Sequence, residues 1–588
     1  MGDAPRQPVV EQEVRFEPDE PPPRPLAAGL AVQYGALSLA SMVVTVLIVV
    51  RSAGLDDDYL SWAVFAALCV SGLTTMLQTT RRRRLGSGHL LLMGPSAAYI
   101  AVSITALNEG GPALLATMVM LSCLPLFRIA RQLTNLRRLI TPTVSSTIIM
   151  LIPVTLAPVI FDLFAQTTPG IPPAAAPLEA GVTLAVMMIL TLRMRGIARV
   201  WAPVAGVVCG CAAGLAFGTY DVQRVLDADW IGLPRFSAWP GLDFPALARN
   251  ILLLPSFTFL ALVGAIETVG DAIAIQRVSW RRPRVPDYKL VQGAVATDGV
   301  GNLLSGLLGT LPNTTYATSV AIAEITGVAA RRVGVYVGLL FLVVAFFPKV
   351  VSLLLAIPNA VAGAFTLALA AILFTLGIRL VVGSGLDYRK SAIVGISFWV
   401  GVGFQNGWIF SELLVGRLEL MLGNGMTAGG IVAIILSLIL EPPGYRKRLS
   451  LDLDTAAIGA VDQFVVRLAD TRGWGETAKA PLRAACEEVI LSLKGEDDPF
   501  ADDPEFRLQR RNRMRVSARV GRELAELEFV AASSFGNLED EIAALGEPDS
   551  SSVDAETSLR LLRHYASTVR HQKFRKADIV TITVKRRD

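Results

Sequence analysis

Residues 264–271 read Gly-Ala-Ile-Glu-Thr-Val-Gly-Asp and place two carboxylates inside an otherwise apolar segment. Glu267 and Asp271 are four residues apart, so on a helix they lie one above the other on the same face. Charge at the depth of a bilayer core is costly, and ionisable residues in a membrane span usually face a cavity and mark a route for substrate or protons. A buried structural pair, with an arginine or a helix terminus as partner, is the alternative interpretation.

These two acids also point to proton chemistry. Burial and a like-charged neighbour both disfavour the ionised carboxylate, so one of the two is expected to be neutral at the working pH and able to carry a proton. The three histidines, His89, His564 and His571, lie at a span edge and in the C-terminal region. Any proton relay in the membrane part is therefore expected to use carboxylates.

The whole composition is that of a membrane protein. Of the 588 residues 52% are hydrophobic, and the mean hydropathy of +0.51 excludes an ordinary soluble enzyme. The net charge of +4 is not gathered on a basic face interleaved with aromatic residues, so nucleic acid is not expected as a partner. The five cysteines lack the paired spacing of a zinc site or a disulfide framework, so neither a metal nor another cofactor is expected.

Apolar segments recur from residue 28 to 441 and predict an all-α polytopic domain of fourteen transmembrane spans. The spans lie near residues 28–51, 60–80, 88–107, 111–127, 140–161, 178–193, 199–217, 250–276, 290–308, 313–328, 333–356, 359–380, 390–405 and 425–441. Residues 1–27, rich in proline among acids and arginines, are expected to form a disordered cytoplasmic tail.

The charges of the loops predict the orientation. Loops after even-numbered spans are basic, as in Arg81–Arg84, whereas loops after odd-numbered spans are acidic or uncharged, as in Asp56–Asp58. Lysine and arginine resist translocation, so both termini are expected in the cytoplasm. The Arg81–Arg84 run is interpreted as an anchor at the lipid headgroups.

Two spans contain residues that break helices. Span 3 contains Met93-Gly94-Pro95-Ser96-Ala97-Ala98-Tyr99, and span 10 starts with Gly309-Thr310-Leu311-Pro312-Asn313-Thr314-Thr315-Tyr316. Extended backbone inside a membrane is tolerated only where it lines a cavity or is buried in protein. Because the breaks fall third in each set of seven spans, they predict two inverted repeats with a site between two half-helix N-termini. Such N-termini favour the carbonyl oxygens of a solute.

Three further polar residues lie in or near these spans. Asp298 in span 9 and Thr314 in the span-10 break are expected to hold the core helices together, and contact with the solute is the alternative for Asp298. Glu324, six residues beyond Thr318, is interpreted as a solvated glutamate near a helix end.

At these residues the chain resembles the nucleobase/ascorbate transporter family, the uracil and xanthine permeases. The likeness covers roughly residues 28–441 and rests on four motifs: Glu267-Thr-Val-Gly-Asp271, Asp298-Gly299, Gly309 with Leu311-Pro312-Asn313-Thr314-Thr315-Tyr316, and Leu139-Ile140-Thr141-Pro142-Thr143-Val144. The resemblance implies a substrate-binding core domain and a gate domain, a homodimer, and symport coupled to protons or sodium.

The resemblance also implies roles for single residues. Glu267 would hydrogen-bond the base and, with Asp271, couple its movement to protons. The other residues of the substrate site would be Ala97, Tyr99, Tyr316, Ala317, Thr318 and Ser319. Span 10 departs from the family, which has Gly or Ser, then Glu or Gln, then Asn after the tyrosine. At Thr318 a single hydroxyl therefore replaces a carboxylate or an amide that could hold two groups of a base.

Residues 449–588 hold no span and predict a soluble cytoplasmic α/β domain. Helices are expected near 455–471, 477–493 and 555–571, and strands near 511–519, 523–531 and 578–584. The domain resembles a degenerate form of the ATP-binding fold of histidine kinases and anti-sigma factors. Ser492 stands where the Mg-binding asparagine is expected, and Ala531–Gly536 replace the glycine-rich loop. ATP binding is therefore not expected. A regulatory or dimer-forming role is expected instead.

Three functions follow as hypotheses. The first is a secondary active transporter, a proton-coupled symporter of a nucleobase-like solute (uracil, xanthine or another purine) in the bacterial inner membrane, working by alternating access. The second is an anion exchanger or channel of the related sulfate-carrier fold, although two acids in the site would repel an anion. The third is a transporter-like membrane sensor, which would lose its signal if residues 449–588 were removed, whereas transport would survive that deletion.

Overall fold

A computed structural model describes residues 14–82, 84–131, 141–166, 171–281, 284–383, 387–409, 422–440, 447–453, 456–494, 513–521, 523–531, 562, 564–574 and 577–586. The predictions for residues 1–13 of the tail, for residues 139 and 140 of the span-5 motif and for the loop at 532–536 lie outside these ranges. The chain forms two units. The membrane unit lies within Val14–Ser279 and Leu290–Pro442, and the second unit lies within Trp280–Lys289 and Pro443–Asp588.

Helices dominate the membrane part of the chain. They are α1 (Arg24–Ser52), α2 (Asp57–Thr80), α3 (Ile100–Ser122), α4 (Leu124–Arg131), α5 (Pro142–Ala165), α6 (Ala175–Arg193), α7 (Ile197–Val200), α8 (Ala202–Phe217), α9 (Val222–Asp227), α10 (Phe244–Arg249), α11 (Leu254–Val278), α12 (Tyr288–Leu308), α13 (Thr318–Thr326), α14 (Arg331–Ala345), α15 (Pro348–Leu355), α16 (Asn359–Gly383), α17 (Tyr388–Gln405) and α18 (Gly425–Leu440). Two short strands, β1 (Met93–Pro95) and β2 (Asn313–Thr315), and a 3₁₀ turn at Ala97–Tyr99 interrupt this pattern.

Seven of the described segments are long and apolar enough to cross a bilayer as single helices. They are Arg24–Ser52, Asp57–Thr80, Ala97–Arg128, Thr143–Ala165, Ala175–Arg193, Ile251–Val278 and Asn359–Gly383. The described residues therefore form a mostly helical, multi-pass membrane protein, and the count of fourteen spans stays a prediction.

One predicted span is wrong as a straight helix. Residues 333–356 form α14 and α15, which meet at a bend of 86°. Pro348 opens α15, and proline cannot continue a helix because it lacks the backbone N–H. A second break lies inside α3, where Gly110 and Gly111 leave the helical conformation and Gly111 adopts a φ of 70° that favours glycine. This break falls where the sequence predicts the boundary between spans 3 and 4.

Side-chain caps fix several helix starts. Asp56 accepts a hydrogen bond from the Tyr59 N–H at 3.0 Å at the start of α2. Thr141 caps α5 in front of Pro142, and Asp387 accepts from the Lys390 N–H at 2.8 Å at the start of α17. The side-chain oxygens of these residues accept hydrogen bonds from backbone N–H groups of the first turn, which have no partner within the helix. Proline suits the first helical position because it has no N–H group that would need an acceptor.

The long helices pack as two sets that alternate along the chain. The first helix set contains α1, α2 and α3 and then α11, α13 and α14, which pack on one another. The second helix set contains α5, α6 and α8 and then α16, α17 and α18. Each half of the chain therefore contributes three helices to each set, as two structural repeats would.

Aromatic side chains cap the C-terminus of α12. The carbonyl oxygens of its last turn have no partner within the helix. Trp239 Nε1 donates to the Leu307 oxygen at 3.0 Å, Trp62 Nε1 donates to the Leu308 oxygen at 2.7 Å, and the Tyr59 hydroxyl donates to the Gly309 oxygen at 3.3 Å. These contacts fix the point from which the chain turns into the span-10 break.

Trp62→Phe is expected to lower the free energy of unfolding by about 1 kcal/mol, because it keeps an aromatic ring but leaves the Leu308 carbonyl without its donor. Thermal unfolding of the purified protein in detergent measures the change. Trp399→Phe is the matched control, since Trp399 is 68% exposed and its indole N–H has no hydrogen-bond partner among the described residues. Equal stability of the two variants would contradict the capping role.

In its described residues the second unit contains a five-stranded antiparallel sheet, two long helices and a few further helical residues at 562, 564 and 565. The elements are β3 (Lys447–Asp452), α19 (Ala456–Asp470), α20 (Glu476–Lys494), β4 (Arg513–Val520), β5 (Leu524–Ala531), β6 (Thr568–Phe574) and β7 (Ala577–Lys585). The strand order is β3-β4-β5-β7-β6. Helices and sheet share one apolar core that includes Val461, Val489 and Phe529.

The sequence predicts both helices and three of these strands at nearly the observed positions. The predicted helix at 555–571 is confirmed at residues 562, 564 and 565, which are helical, and is wrong over residues 568–571, which belong to β6; residues 555–561 lie outside the described residues. Strand β6 pairs with β7 from Thr568↔Thr583 to Phe574↔Ala577, so the hydrogen bonds of a neighbouring strand override the local pattern. Strand β3 was not predicted.

Candidate functional site

The structure brings the two interrupted segments together. Strands β1 and β2 pair antiparallel, with Met93 opposite Thr315, Gly94 opposite Thr314 and Pro95 opposite Asn313. The prediction of an all-helical membrane domain is wrong at this point. Glycine and proline disfavour a helix here, and pairing with the other segment satisfies backbone groups that a membrane interior leaves without water.

Neighbouring groups complete the hydrogen bonding of this small sheet. The Met93 N–H donates to Thr75 Oγ1 at 3.1 Å, and the Asn313 N–H donates to Asn302 Oδ1 at 2.8 Å. The Tyr316 N–H donates to the Leu92 carbonyl at 2.9 Å. The extended backbone is thus hydrogen-bonded between the two strands and to neighbouring groups at the strand ends.

A half-helix follows each strand. The 3₁₀ turn at Ala97–Tyr99 leads from β1 into α3, and α13 starts at Thr318 after β2. Neither start has a side-chain cap, so the first N–H groups of both half-helices remain able to face a solute. The dipole of each half-helix adds partial positive charge at that end.

Helix α11 places its carboxylates beside this arrangement. It packs against the 3₁₀ turn, against β2 and against α13. Glu267 is half-buried, and its carboxylate has no hydrogen-bond or ion-pair partner among the described residues. Asp271, one turn further on, is also half-buried, and its Oδ2 is hydrogen-bonded to Thr315 Oγ1 at 2.7 Å.

Asp298 on α12 is joined to the same cluster. It is 2% exposed, and its Oδ2 accepts a hydrogen bond from Thr268 Oγ1. Thr268 Oγ1 also lies 3.1 Å from Thr315 Oγ1. Asp298 Oδ1 is buried without a hydrogen-bond partner among the described residues. The cluster therefore links α11, α12 and β2, and the core-holding role of Asp298 stays a prediction.

Several predicted site residues are accessible. Ala317 and Thr318 at the start of α13 are exposed, and Ala97 is half-buried. On α11, Gly270 is exposed, and no atom of another segment lies within 4 Å of where its Cβ would be. The described residues therefore leave these positions uncovered.

The remaining predicted residues have contacts within the protein. The Tyr99 ring is 2% exposed and packs on Phe257 with a centroid distance of 6.1 Å. The Tyr316 hydroxyl donates to the Pro95 carbonyl at 2.9 Å, and its ring covers Gly94. The Ser319 hydroxyl donates to the Tyr316 carbonyl and accepts from the Leu92 N–H. Contact of these three side chains with a solute stays a prediction.

Thr314 lies in β2 beside Gly264 of α11, and its buried hydroxyl has no partner among the described residues. Thr268 and Thr315 are the polar residues of this cluster that sequence reasoning did not single out. Both belong to the quoted motifs, but the sequence does not assign them a role. A threonine hydroxyl in a span can equally donate to a carbonyl of its own helix. Over the described residues, no group of three or more His, Cys, Asp or Glu is arranged to hold a metal ion.

The comparisons with known proteins agree on the membrane part. Residues 27–408 match a family model described as a permease family, which is more than half of the chain. The chain is 29% identical over 462 residues to the xanthine permease XanP of Escherichia coli strain K12, covering 74% of this chain and 97% of that protein. It is 28% identical over 453 residues to the xanthine permease XanQ of the same strain, covering 74% and 94%.

A comparison of folds gives a weaker likeness. The solved structure of SLC26A9 matches with a TM-score of 0.47 and 12% identity over 73% of this chain and 67% of that one.

Proposed function

Because the chain belongs to the permease family of nucleobase and ascorbate transporters, we propose that it is a secondary active transporter of a nucleobase-like solute such as uracil, xanthine or another purine. It is a multi-pass membrane permease and not an enzyme. The observation that supports the solute class is the half-buried Glu267 carboxylate, which has no partner among the described residues and lies on the helix that packs against both half-helix starts.

The chemistry of a nucleobase fits these groups. Uracil and xanthine alternate ring N–H donors with carbonyl acceptors. A carboxylate only accepts hydrogen bonds, so Glu267 would bind ring N–H groups. The uncapped N–H groups near Ala97 and Thr318 would bind the carbonyl oxygens. A small anion would instead meet Glu267 and Asp271, which repel it, so we prefer the nucleobase to an anion.

Thr318→Val is expected to raise the half-saturation concentration of uptake by up to about tenfold, because one neutral hydrogen bond is worth about 0.5–1.5 kcal/mol. Thr318→Ser keeps the hydroxyl and is expected to behave as the original protein. Uptake kinetics with xanthine and with uracil measure the effect, and an unchanged value for every base would remove Thr318 from the solute site.

The two helix sets supply the parts that alternating access needs. In our proposal the first set, with α12, belongs to the core domain and the second set forms the gate domain, and the membrane part as a whole has fourteen spans in two inverted repeats. The antiparallel pairing of β1 and β2, which come from corresponding positions of the two halves, supports this symmetry.

A contact between the sets is expected to close the outer side. Arg51, in the last turn of α1, donates to Asn359 Oδ1 at 2.8 Å at the start of α16, and Asn359 Nδ2 donates to Gln166 Oε1 at 2.7 Å at the end of α5. On the inner side, Gly270 and Arg277 of α11 are exposed, with the half-buried Ile273 and Ala274 between them, and Thr318 and Glu324 of α13 are exposed, with the half-buried Ala321 between them. These two rows are proposed to line the route to the cytoplasm.

Proton coupling, orientation and assembly complete the proposal. We assign the proton to the Glu267 and Asp271 pair, because two close carboxylates in a medium of low dielectric do not both ionise readily. We propose that both termini lie in the cytoplasm, as the basic loops predict, and that the membrane is a bacterial inner membrane. The homodimer, sodium as an alternative coupling ion, and the lack of ATP binding by the C-terminal domain are carried over from the family resemblance.

A thermal-shift screen of the purified full-length protein tests the solute class. Xanthine, uracil, uric acid and ascorbate are compared with chloride, sulfate and bicarbonate. We expect stabilisation by at least one base, since a ligand that binds only the folded state raises its stability. Stabilisation by anions alone would contradict the proposal.

A further inference from the structure

Two threonine hydroxyls connect two of the membrane carboxylates in an unbranched chain of oxygens. Thr315 Oγ1 lies 2.7 Å from Asp271 Oδ2, and 3.1 Å from Thr268 Oγ1. Thr268 Oγ1 in turn is hydrogen-bonded to Asp298 Oδ2. The order is therefore Asp271, Thr315, Thr268, Asp298, and the chain passes from α11 to β2, back to α11 and on to α12.

The number of protons in this chain can be counted. Each of its three contacts needs one hydrogen between the two oxygens. A threonine hydroxyl supplies one proton, and an ionised carboxylate supplies none. The two threonines supply two protons for three contacts. The third proton must therefore be on Asp271 or on Asp298.

We propose that Asp271, Thr315, Thr268 and Asp298 form a proton wire with Asp298 as its inner storage site. This inference deepens the proposed function, because it rests on proton-coupled transport. When the wire loads, the Asp271 proton moves to Thr315 Oγ1, the Thr315 proton moves to Thr268 Oγ1, and the Thr268 proton moves to Asp298 Oδ2. Each threonine keeps one proton, Asp271 becomes a carboxylate, Asp298 becomes a carboxylic acid, and the total charge is unchanged.

The burial of the two ends gives the wire a direction. Asp271 is half-buried and is therefore the end that can exchange protons with the outside of the wire, whereas Asp298 is 2% exposed. Among the described residues, the hydrogen-bond partner of the Asp298 carboxyl group is the Thr268 hydroxyl. In the wire, Asp298 receives its proton from this hydroxyl. The unpartnered Asp298 Oδ1 also favours the neutral acid, since a buried polar atom without a partner costs less when the group carries no charge.

The position of the proton in the wire changes the charge next to the solute site. The other titratable groups that interact with these acids are Glu267, one turn before Asp271, and the Tyr99 hydroxyl. Moving the proton inward leaves Asp271 charged next to Glu267, and a like charge at that distance disfavours an ionised Glu267. A proton stored on Asp298 is thereby linked to the group that binds the base.

Substitution of the hydroxyls by methyl groups tests the wire. Thr315→Val and Thr268→Val keep the branched shape and remove the proton-carrying oxygen, whereas Thr315→Ser and Thr268→Ser keep the oxygen. Thr314→Val is a further control, because it makes the same change in the same strand at a hydroxyl without a partner among the described residues.

Full-length protein in proteoliposomes is measured in two ways. Exchange of labelled for unlabelled xanthine at equal pH requires binding and conformational change but no net proton movement. Accumulation under an inward proton gradient, followed together with a luminal pH dye, requires coupling. We expect both valine variants to retain exchange and to lose accumulation and proton entry by at least about tenfold, as for other positioned proton-transfer groups. The serine variants and Thr314→Val are expected to retain both.

Two results would overturn the wire. One is coupled accumulation in Thr315→Val and Thr268→Val at the level of the original protein. The other is an equal loss of exchange and accumulation in both, because the hydroxyls would then serve binding or folding. The same two assays on the unsubstituted protein test the proposed function separately. Exchange without proton entry would contradict the proton coupling. No exchange of any base would contradict the solute class.

Discussion

Glu267→Gln is expected to lower the rate of xanthine uptake about 100-fold while the protein remains folded. The carboxylate has no internal partner among the described residues, so the substitution removes no structural bond. Glutamine places an N–H group where the base presents its own, and it cannot take up a proton. Loss of a hydrogen bond to a charged group costs about 1.5–3 kcal/mol, and the upper value corresponds to about 100-fold at 1.4 kcal/mol per factor of ten.

The measurement compares initial uptake rates in proteoliposomes with the midpoint of thermal unfolding. Glu109→Gln is the matched control, since this glutamate on α3 is exposed, lies outside the proposed route and has no hydrogen-bond or ion-pair partner among the described residues. Full uptake by Glu267→Gln would remove the central hypothesis. Reduced uptake together with a lower unfolding midpoint would favour the interpretation of Glu267 as part of a structural pair.

Gly94→Ala is expected to abolish most transport by displacing the β1–β2 crossing. A Cβ at Gly94 would lie 2.7 Å from the Cζ and hydroxyl atoms of Tyr316 and 3.0 Å from Met42 Cε. Tyr316 cannot easily move away, because its hydroxyl is bonded to the carbonyl of Pro95. Overpacking of this kind costs about 1–3 kcal/mol. A shift of about 1 Å at the half-helix starts would lower uptake by about 100-fold.

Uptake and thermal unfolding of Gly94→Ala are compared with those of Gly395→Ala. Gly395 lies within α17, and a Cβ added there would have no other atom within 4 Å, so alanine is expected to leave stability unchanged or slightly raised. Normal uptake by Gly94→Ala would mean that the crossing tolerates displacement and does not position the site.

The positions of the helix breaks were predictable because they depend on local residues. Gly94, Pro95 and Pro312 disfavour a helix whatever lies around them. Which segments pair with each other is a long-range property. The Tyr316 hydroxyl bonds a carbonyl 221 residues away, and Ser319 accepts from an N–H 227 residues away. The sequence shows the polar groups of span 10 but not whether a solute or the protein uses them.

The same distinction applies to the acids and to the C-terminal sheet. Spacing alone places Glu267 and Asp271 on one helix face, but the link from Asp271 to Asp298 depends on two threonines from different segments. In the second unit, the alternating residues of β7 predict a strand, whereas β6 reads Thr-Val-Arg-His-Gln-Lys-Phe and becomes a strand by pairing with β7. Tertiary hydrogen bonds decide such segments.

We propose that this permease moves a nucleobase together with protons. Labelled xanthine and uracil uptake into proteoliposomes, measured with an inward proton gradient and again after a protonophore has collapsed it, tests that claim most directly. We predict accumulation of at least one base above the external concentration, with acidification of the lumen, and loss of both when the gradient is collapsed. Accumulation that is unchanged without the gradient, or the absence of uptake of any base, would contradict the account.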